Sequence, residues 1–186
     1  MIAGLAAGTL AAQSFEVGGH GGTMRLSNKS LGQLGIRDLT RVELDDGWRI
    51  GFRTTFNNWR FLGHEVGYAY NRTKLVIGND EAGFGVHQGF YNFLAYATPE
   101  GSRVRPFVAG GGHFNNFVPP GASATSGQGD TKFGFNYGGG IKVKLNHMFG
   151  MRLDMRQYVT GKPFDLPNQT GKLRQTEISA GFYLWM

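Results

Sequence analysis

Lys132-Phe-Gly-Phe-Asn-Tyr-Gly-Gly-Gly-Ile-Lys-Val-Lys-Leu145 decides the fold. Its odd positions carry Phe133, Phe135, Tyr137, Ile141, Val143 and Leu145, and its even positions carry Lys132, Asn136, Lys142, Lys144 and three glycines. Period-two alternation puts successive side chains on opposite faces of a strand. Fourteen residues of it far exceed the usual strand of about 5–6. A strand that crosses a bilayer at a tilt needs about 9–11 residues.

The pattern recurs on both sides of this stretch. Met151, Leu153 and Met155 oppose Arg152, Asp154, Arg156 and Tyr158, after the short link Asn146–Gly150. Thr176, Ile178, Ala180, Phe182 and Leu184 oppose Gln175, Glu177, Ser179, Gly181 and Tyr183. Upstream, Trp48, Ile50, Phe52 and Phe56 oppose Arg49, Gly51, Arg53 and Thr55, and Leu62, Val66, Tyr68 and Tyr70 oppose Gly63, Glu65, Gly67 and Ala69. Phe84–Ala97 and Phe107–Phe114 are strand-like with ambiguous facing. A first strand fits Phe15–Leu26, with Glu16 and His20 on one side and glycine pairs that suggest a bulge.

These segments make eight strands. Short links near 57–60, 98–103 and 146–150 alternate with links near 28–46, 73–83, 115–130 and 161–173 that read as long loops. An up-and-down barrel collects the short turns at one rim and the long loops at the other, as transmembrane barrels do. The expected fold is an all-β, eight-stranded antiparallel up-and-down transmembrane barrel.

Composition agrees with this and excludes other classes. Charged residues make up 17% of the 186, below the roughly 25% of soluble domains, and there are 31 glycines and 15 phenylalanines. No run reaches the ~18 apolar residues of a membrane helix, so a crossing must be made by strands. There is no cysteine, which rules out disulfides, a thiolate zinc site and a thiol nucleophile. The net charge of +6 is spread along the chain without basic–aromatic clusters, so no nucleic-acid partner is expected. Met1-Ile-Ala-Gly-Leu-Ala-Ala-Gly-Thr-Leu-Ala-Ala12 reads as the remnant of a secretory signal, leaving 13–186 as the barrel.

Alternation alone does not say which face is outside. A soluble lipocalin-like carrier keeps its apolar face within, whereas a membrane barrel inverts this. Three features favour inversion. The apolar face is bulky for a narrow lumen. The polar face carries Gly134, Gly138, Gly140 and Gly181, which relieve crowding. Its charges are of opposite sign on neighbouring strands. By phase, Arg49, Arg53, Glu65, Lys142, Lys144, Arg152, Asp154, Arg156 and Glu177 form an inward charge network. Phe52, Tyr68, Phe133, Phe135, Tyr137, Ile141, Val143, Leu153, Ile178 and Phe182 face lipid. Trp48, Trp59, Tyr158 and Trp185 lie near strand ends, where aromatic girdles belong.

Arg105-Pro-Phe-Val-Ala-Gly-Gly-Gly112, Phe133-Gly-Phe-Asn-Tyr-Gly-Gly-Gly-Ile-Lys-Val-Lys144 and Gly150-Met-Arg-Leu-Asp-Met-Arg-Gln-Tyr158 together resemble the outer-membrane β-barrel domain family, which includes the OmpA-like transmembrane domain and the opacity-type surface proteins. The resemblance implies an eight-stranded barrel in the outer membrane of a Gram-negative bacterium, with a periplasmic N-terminus. It also implies lipid and lipopolysaccharide as surroundings and the barrel-assembly machinery as a partner during insertion. The sequence departs from the pattern at its end, Trp185-Met186, where many members have a terminal aromatic residue. It carries no peptidoglycan-binding domain, so cell-wall anchoring is not expected of it.

Barrels of this shape that deacylate lipid A carry a His-X-Ser pair. None of His20, His64, His87, His113 and His147 is followed two positions later by serine. No metal spacing appears, and Asp45-Asp46 and Asn79-Asp80-Glu81 suit turns. No enzymatic activity, cofactor or metal is expected. The expected role is that of a monomeric structural or surface-interaction barrel. The alternatives are a small porin or the soluble carrier. Arg37, Arg41, Arg72, Lys74, Lys132, Lys162, Lys172 and Arg174, in or near the long links, are candidates for lipopolysaccharide phosphates.

Overall fold

A computed structural model describes residues 14–35, 40–123 and 127–186. The signal-like segment and Arg37 lie outside these residues.

Eight long strands form the staves: β1 (Ser14–Ser27), β4 (Gly47–Trp59), β5 (Leu62–Ile77), β6 (Asp80–Tyr96), β7 (Val104–Val118), β8 (Asp130–Lys144), β9 (Phe149–Thr160) and β10 (Leu173–Trp185). Two short strands, β2 (Ser30–Gln33) and β3 (Arg41–Leu44), interrupt the first long connection. Each stave pairs antiparallel with its neighbours in the chain, and β1 pairs with β10, so the sheet closes as the expected eight-stranded barrel. Closure leaves no stave with an unpaired edge, which is what allows a sheet to cross lipid. Among the described residues no helix is long and apolar enough to cross a membrane.

Ser14, Met186 and the links 60–61, 97–103 and 145–148 sit at one rim. The links 28–46, 119–129 and 161–172 sit at the other. The second rim therefore faces the exterior and the first the periplasm.

Two local expectations are corrected. The link at 73–83 is not a long loop: β5 and β6 stay in register from Leu62↔Ala95 to Ile77↔Asp80 and turn through Gly78 and Asn79. Gly78 takes φ 62°, a left-handed conformation that glycine adopts without cost. The charges in that stretch, Lys74, Asp80 and Glu81, are exposed on a hairpin that continues past the long-loop rim. Nor does β1 bulge at its glycine pairs, because its register with β4 and β10 is unbroken. Gly22 is there for close approach instead: a Cβ on it would sit 2.2 Å from the Ile178 carbonyl oxygen.

Outside and inside follow the alternation. Trp48, Phe52, Phe56, Trp59, Val108, Phe133, Leu153, Met155 and Phe182 are exposed, whereas Arg49, Arg53, Arg152, Arg156 and Glu177 are buried. Trp48 and Trp59 stand eleven residues apart on the outer face of β4, which at a strand tilt of about 40° spans roughly 27 Å, close to the apolar band of a membrane barrel.

The interior has layers that a uniformly ionic lumen would lack. At the exterior end Met24, Leu26, Leu31, Val42, Leu44, Leu75, Phe84, Val86, Phe117 and Leu173 form an apolar cluster, against which Ile77, Phe164 and Leu166 pack. Leu31, Val42 and Leu44 come from β2 and β3, so the first long connection folds over the mouth of the barrel. Leu94, Tyr96, Phe107 and Ala109 form a second cluster toward the periplasm.

Candidate functional site: the lumen

Three inward positions on β9, Arg152, Asp154 and Arg156, supply the spine of the ionic layer, because every second residue faces the axis. On β8 their register partners are Lys142, Gly140 and Gly138. The glycines give the long arginine side chains room to lie across the neighbouring strand. A Cβ on Gly138 would sit 2.2 Å from the Met155 carbonyl oxygen and 3.1 Å from the Arg156 Cγ.

Asp154 accepts hydrogen bonds from Arg152 Nε and Nη2, each at 2.8 Å, and from Arg156 Nη2 at 3.1 Å, and it pairs with Arg53 Nη1 at 3.1 Å. Glu65 accepts from Arg152 Nη1 at 2.5 Å and lies 2.7 Å from Arg156 Nη2. Glu177 accepts from the Tyr158 hydroxyl at 2.8 Å and pairs with Arg49 at 3.4 Å and Arg53 at 3.6 Å. Below this group, Lys142 donates to Glu16 and, at 2.9 Å, to the Tyr96 hydroxyl, and Asn57 donates to Glu16 at 2.9 Å.

Of the nine residues assigned inward by phase, eight join these ion pairs. Lys144 does not. It is half-buried at the periplasmic mouth, with its ammonium 3.2 Å from the Trp185 ring centre. Phase reasoning left out Arg105, which is 2% exposed and lies 3.6 Å over the Tyr96 ring. It also left out Glu16, His20, Gln88 and Asn92. Glu16 and His20 share a face of β1, and His20 accepts from Arg53 Nε at 3.2 Å. Tyr158 leaves the girdle: it is 0% exposed and stacks beneath Arg49. Its neighbours Arg156 and Asp154 carry the signal that would have placed it inside.

In this layer five cations, Arg49, Arg53, Lys142, Arg152 and Arg156, meet four carboxylates, Glu16, Glu65, Asp154 and Glu177, and Arg105 is buried beside them on the Tyr96 ring. One cavity of about 10 Å³ lies among Glu16, His20, Arg53, Arg152, Asp154 and Tyr183. A second of about 10 Å³ lies at the exterior end beside Met24, Leu26, Leu44 and Val86. Each has room for about one water. Among the described residues no group of three or more His, Asp or Glu side chains is arranged to hold a metal ion.

The ten positions assigned to lipid lie on the outer face. Phe52, Phe133, Phe135, Tyr137, Leu153, Ile178 and Phe182 are exposed, and Tyr68, Ile141 and Val143 are half-buried against neighbouring rings and strands. Two polar tips among the outward aromatics are partnered: Tyr68 bonds His87, and Tyr91 lies 2.6 Å from His64 Nδ1.

At the exterior end four of the seven described candidate phosphate cations are engaged. Lys74 pairs with Glu81 at 2.7 Å, Arg41 with Glu43 at 3.7 Å, and Lys132 with Asp165 at 3.0 Å. Lys162 is buried and donates to Asn28 at 3.2 Å. Arg72, Lys172 and Arg174 have no carboxylate at ion-pair distance among the described residues. Lys29 donates to Asp45 at 2.8 Å, which holds the Asp45 carboxyl below its ordinary value and raises the Lys29 ammonium.

A closed antiparallel cylinder with a greasy exterior and charged, close-packed interior is an outer-membrane barrel. The chain belongs to the outer membrane protein β-barrel domain family, whose sequence profile matches residues 1–184. Among solved structures it is similar to Neisserial surface protein A (17% identity, TM-score 0.63, 91% of this chain and 96% of that one). It is also similar to the outer membrane protein OprG of Pseudomonas aeruginosa (16%, 0.63, 96% and 98%) and to the outer membrane protein AlkL solved in lipid bilayers (13%, 0.62, 100% and 95%). At these identities the likeness is one of fold. A comparison by sequence with curated proteins finds no match. The protein is located in the cell outer membrane.

Proposed function

We propose that this is a non-enzymatic, non-conducting barrel that works through its outer surface, with a lumen sealed by the ionic layer and the apolar clusters. The observation that carries the reading is the buried group of Arg152, Arg156, Arg53, Asp154 and Glu65, whose side chains interlock across the axis from three strands and leave room for about one water. A narrow porin needs a continuous polar path, and the exterior end is packed with Leu31, Leu44, Phe84 and Phe117 instead. A soluble carrier is incompatible with the family and with the exposed aromatic face.

The same reading has the barrel inserted by the assembly machinery, working as a monomer, and meeting lipopolysaccharide phosphates through the unpaired exterior cations Arg72, Lys172 and Arg174. Purified protein in a planar bilayer is expected to give no discrete current steps. Reproducible unitary conductance would overturn the sealed lumen.

A further inference from the structure

The outer wall over β5–β8 carries a two-part hollow that neither the sealed lumen nor the loops explain. Its upper part is an open pocket of about 340 Å³ near the exterior rim, walled by Trp48, Arg72, Lys74, Glu81 and Gly83. Lys74 is taken by Glu81. Arg72 has no carboxylate at ion-pair distance among the described residues. It donates to the Tyr70 hydroxyl at 3.4 Å. Its guanidinium lies flat on Gly83, where a Cβ would sit 2.1 Å from Nη2, so the cation is held against the wall rather than waving in solvent.

The lower part is an apolar groove of about 620 Å³ lined by Val66, Tyr68, Tyr91, Gly112, Phe114 and Phe133. It begins four residues down β5 from Arg72, about 13 Å along the strand. Tyr70 and His87, with ring centres 5.1 Å apart, stand between the two parts. Trp48 packs edge-on against Tyr70 at 6.0 Å, which marks this level as the membrane interface.

A cation at headgroup height above an apolar trough at acyl-chain depth is complementary to one kind of molecule, an anionic lipid. We propose that this wall seats one lipid A moiety of outer-leaflet lipopolysaccharide, a phosphate on Arg72 and an acyl chain along the trough over Gly112. The inference rests on the reading that exterior cations meet lipopolysaccharide phosphates, and adds a single site and a chain path to it. Arginine suits the phosphate because its planar fork can donate two parallel hydrogen bonds.

The test is native mass spectrometry of the detergent-purified full chain titrated with bis-phosphorylated lipid A. Parallel titrations use phosphatidylglycerol and inorganic phosphate. Arg72→Gln removes the charge. Gly112→Leu fills the trough, and the nearest heavy atom to a Cβ there is 3.9 Å away, so the backbone accepts a side chain at this position. Arg103→Gln, an exposed cation in the periplasmic link 97–103 at the opposite rim, is the control.

One tightly held lipid A per barrel is expected. Its apparent affinity should fall about tenfold in each of the first two variants, the loss of one charge-assisted or one chain contact, and stay unchanged in Arg103→Gln. Equal binding by all variants overturns the site. Equal binding of phosphatidylglycerol, or full competition by inorganic phosphate, overturns the assignment to lipid A. A barrel dimer abolished by Gly112→Leu would make the groove a contact between copies and would likewise overturn it. Current recordings on the same variants report on the sealed lumen alone, so the two readings fail separately.

Discussion

Asp154→Leu should be the most damaging single change in the lumen, lowering stability by about 3–5 kcal/mol, because it leaves buried cations without their counter-ion. Asp154 touches Arg152 through two hydrogen bonds and also holds Arg53 and Arg156. The layer already has more cations than carboxylates, so no spare acid takes over. Asp154→Asn keeps the volume and part of the hydrogen bonding and should cost less. Arg53→Met added to Asp154→Leu should recover part of the loss, since it removes one of the stranded charges. Urea unfolding in detergent, followed by the heat-modifiable shift in gel migration, reads all three variants. A cost for Asp154→Leu within about 1 kcal/mol, the range of a solvated surface pair, would mean that water reaches the layer freely.

Met155→Arg places a charge on the other face of the same strand, and its effect should be nearly as large. Met155 is 62% exposed and sits mid-strand between Gly139 and Ile178. If that face meets hydrocarbon, an arginine at mid-depth costs about 2–4 kcal/mol. If the face met water, the same change would stay within about 0.5 kcal/mol. The adjacent residue, Arg156, is buried and paired with Glu65 and Asp154, so the contrast lies in the face and not in the residue type. Unfolding from lipid vesicles measures the difference, with Met155→Leu as the neutral reference.

The segments β8, β9 and, from Gln175 onward, β10 are legible in the sequence because each has one face without charge and one face with charge or glycine. Lys142, Arg152, Asp154, Arg156 and Glu177 declare their phase unaided. β6 and β7 do not, since both faces are aromatic: Phe84, Phe90, Tyr96 and Phe107 point in while Tyr91, Phe93 and Phe114 point out. Without a polarity difference the period of two vanishes, and Arg105 loses its phase with it. The hairpin of β5 and β6 was unreadable for another reason. Beyond the bilayer a strand is solvated, so Lys74, Asp80 and Glu81 look like loop residues although the ladder continues through them.

The apolar exterior cluster depends on Leu31, Val42 and Leu44, which lie on strands of four residues, too short to show alternation. Phase also says nothing of height along the barrel axis. Lys142 and Lys144 share a face, yet Lys142 reaches Glu16 while Lys144 ends on Trp185 at the mouth. Which inward charges meet is set by strand stagger around the closed cylinder, a property of the whole sheet.

The cysteine-free chain allows one nitroxide label at a time to be placed along β9 from Met151 to Tyr158, with collision rates measured in vesicles against dissolved oxygen and a water-soluble nickel chelate. An inverted barrel predicts high oxygen access at Met151, Leu153 and Met155 and low access to either reagent at Arg152, Asp154 and Arg156. Nickel access at the odd positions, or no alternation of period two, would contradict it.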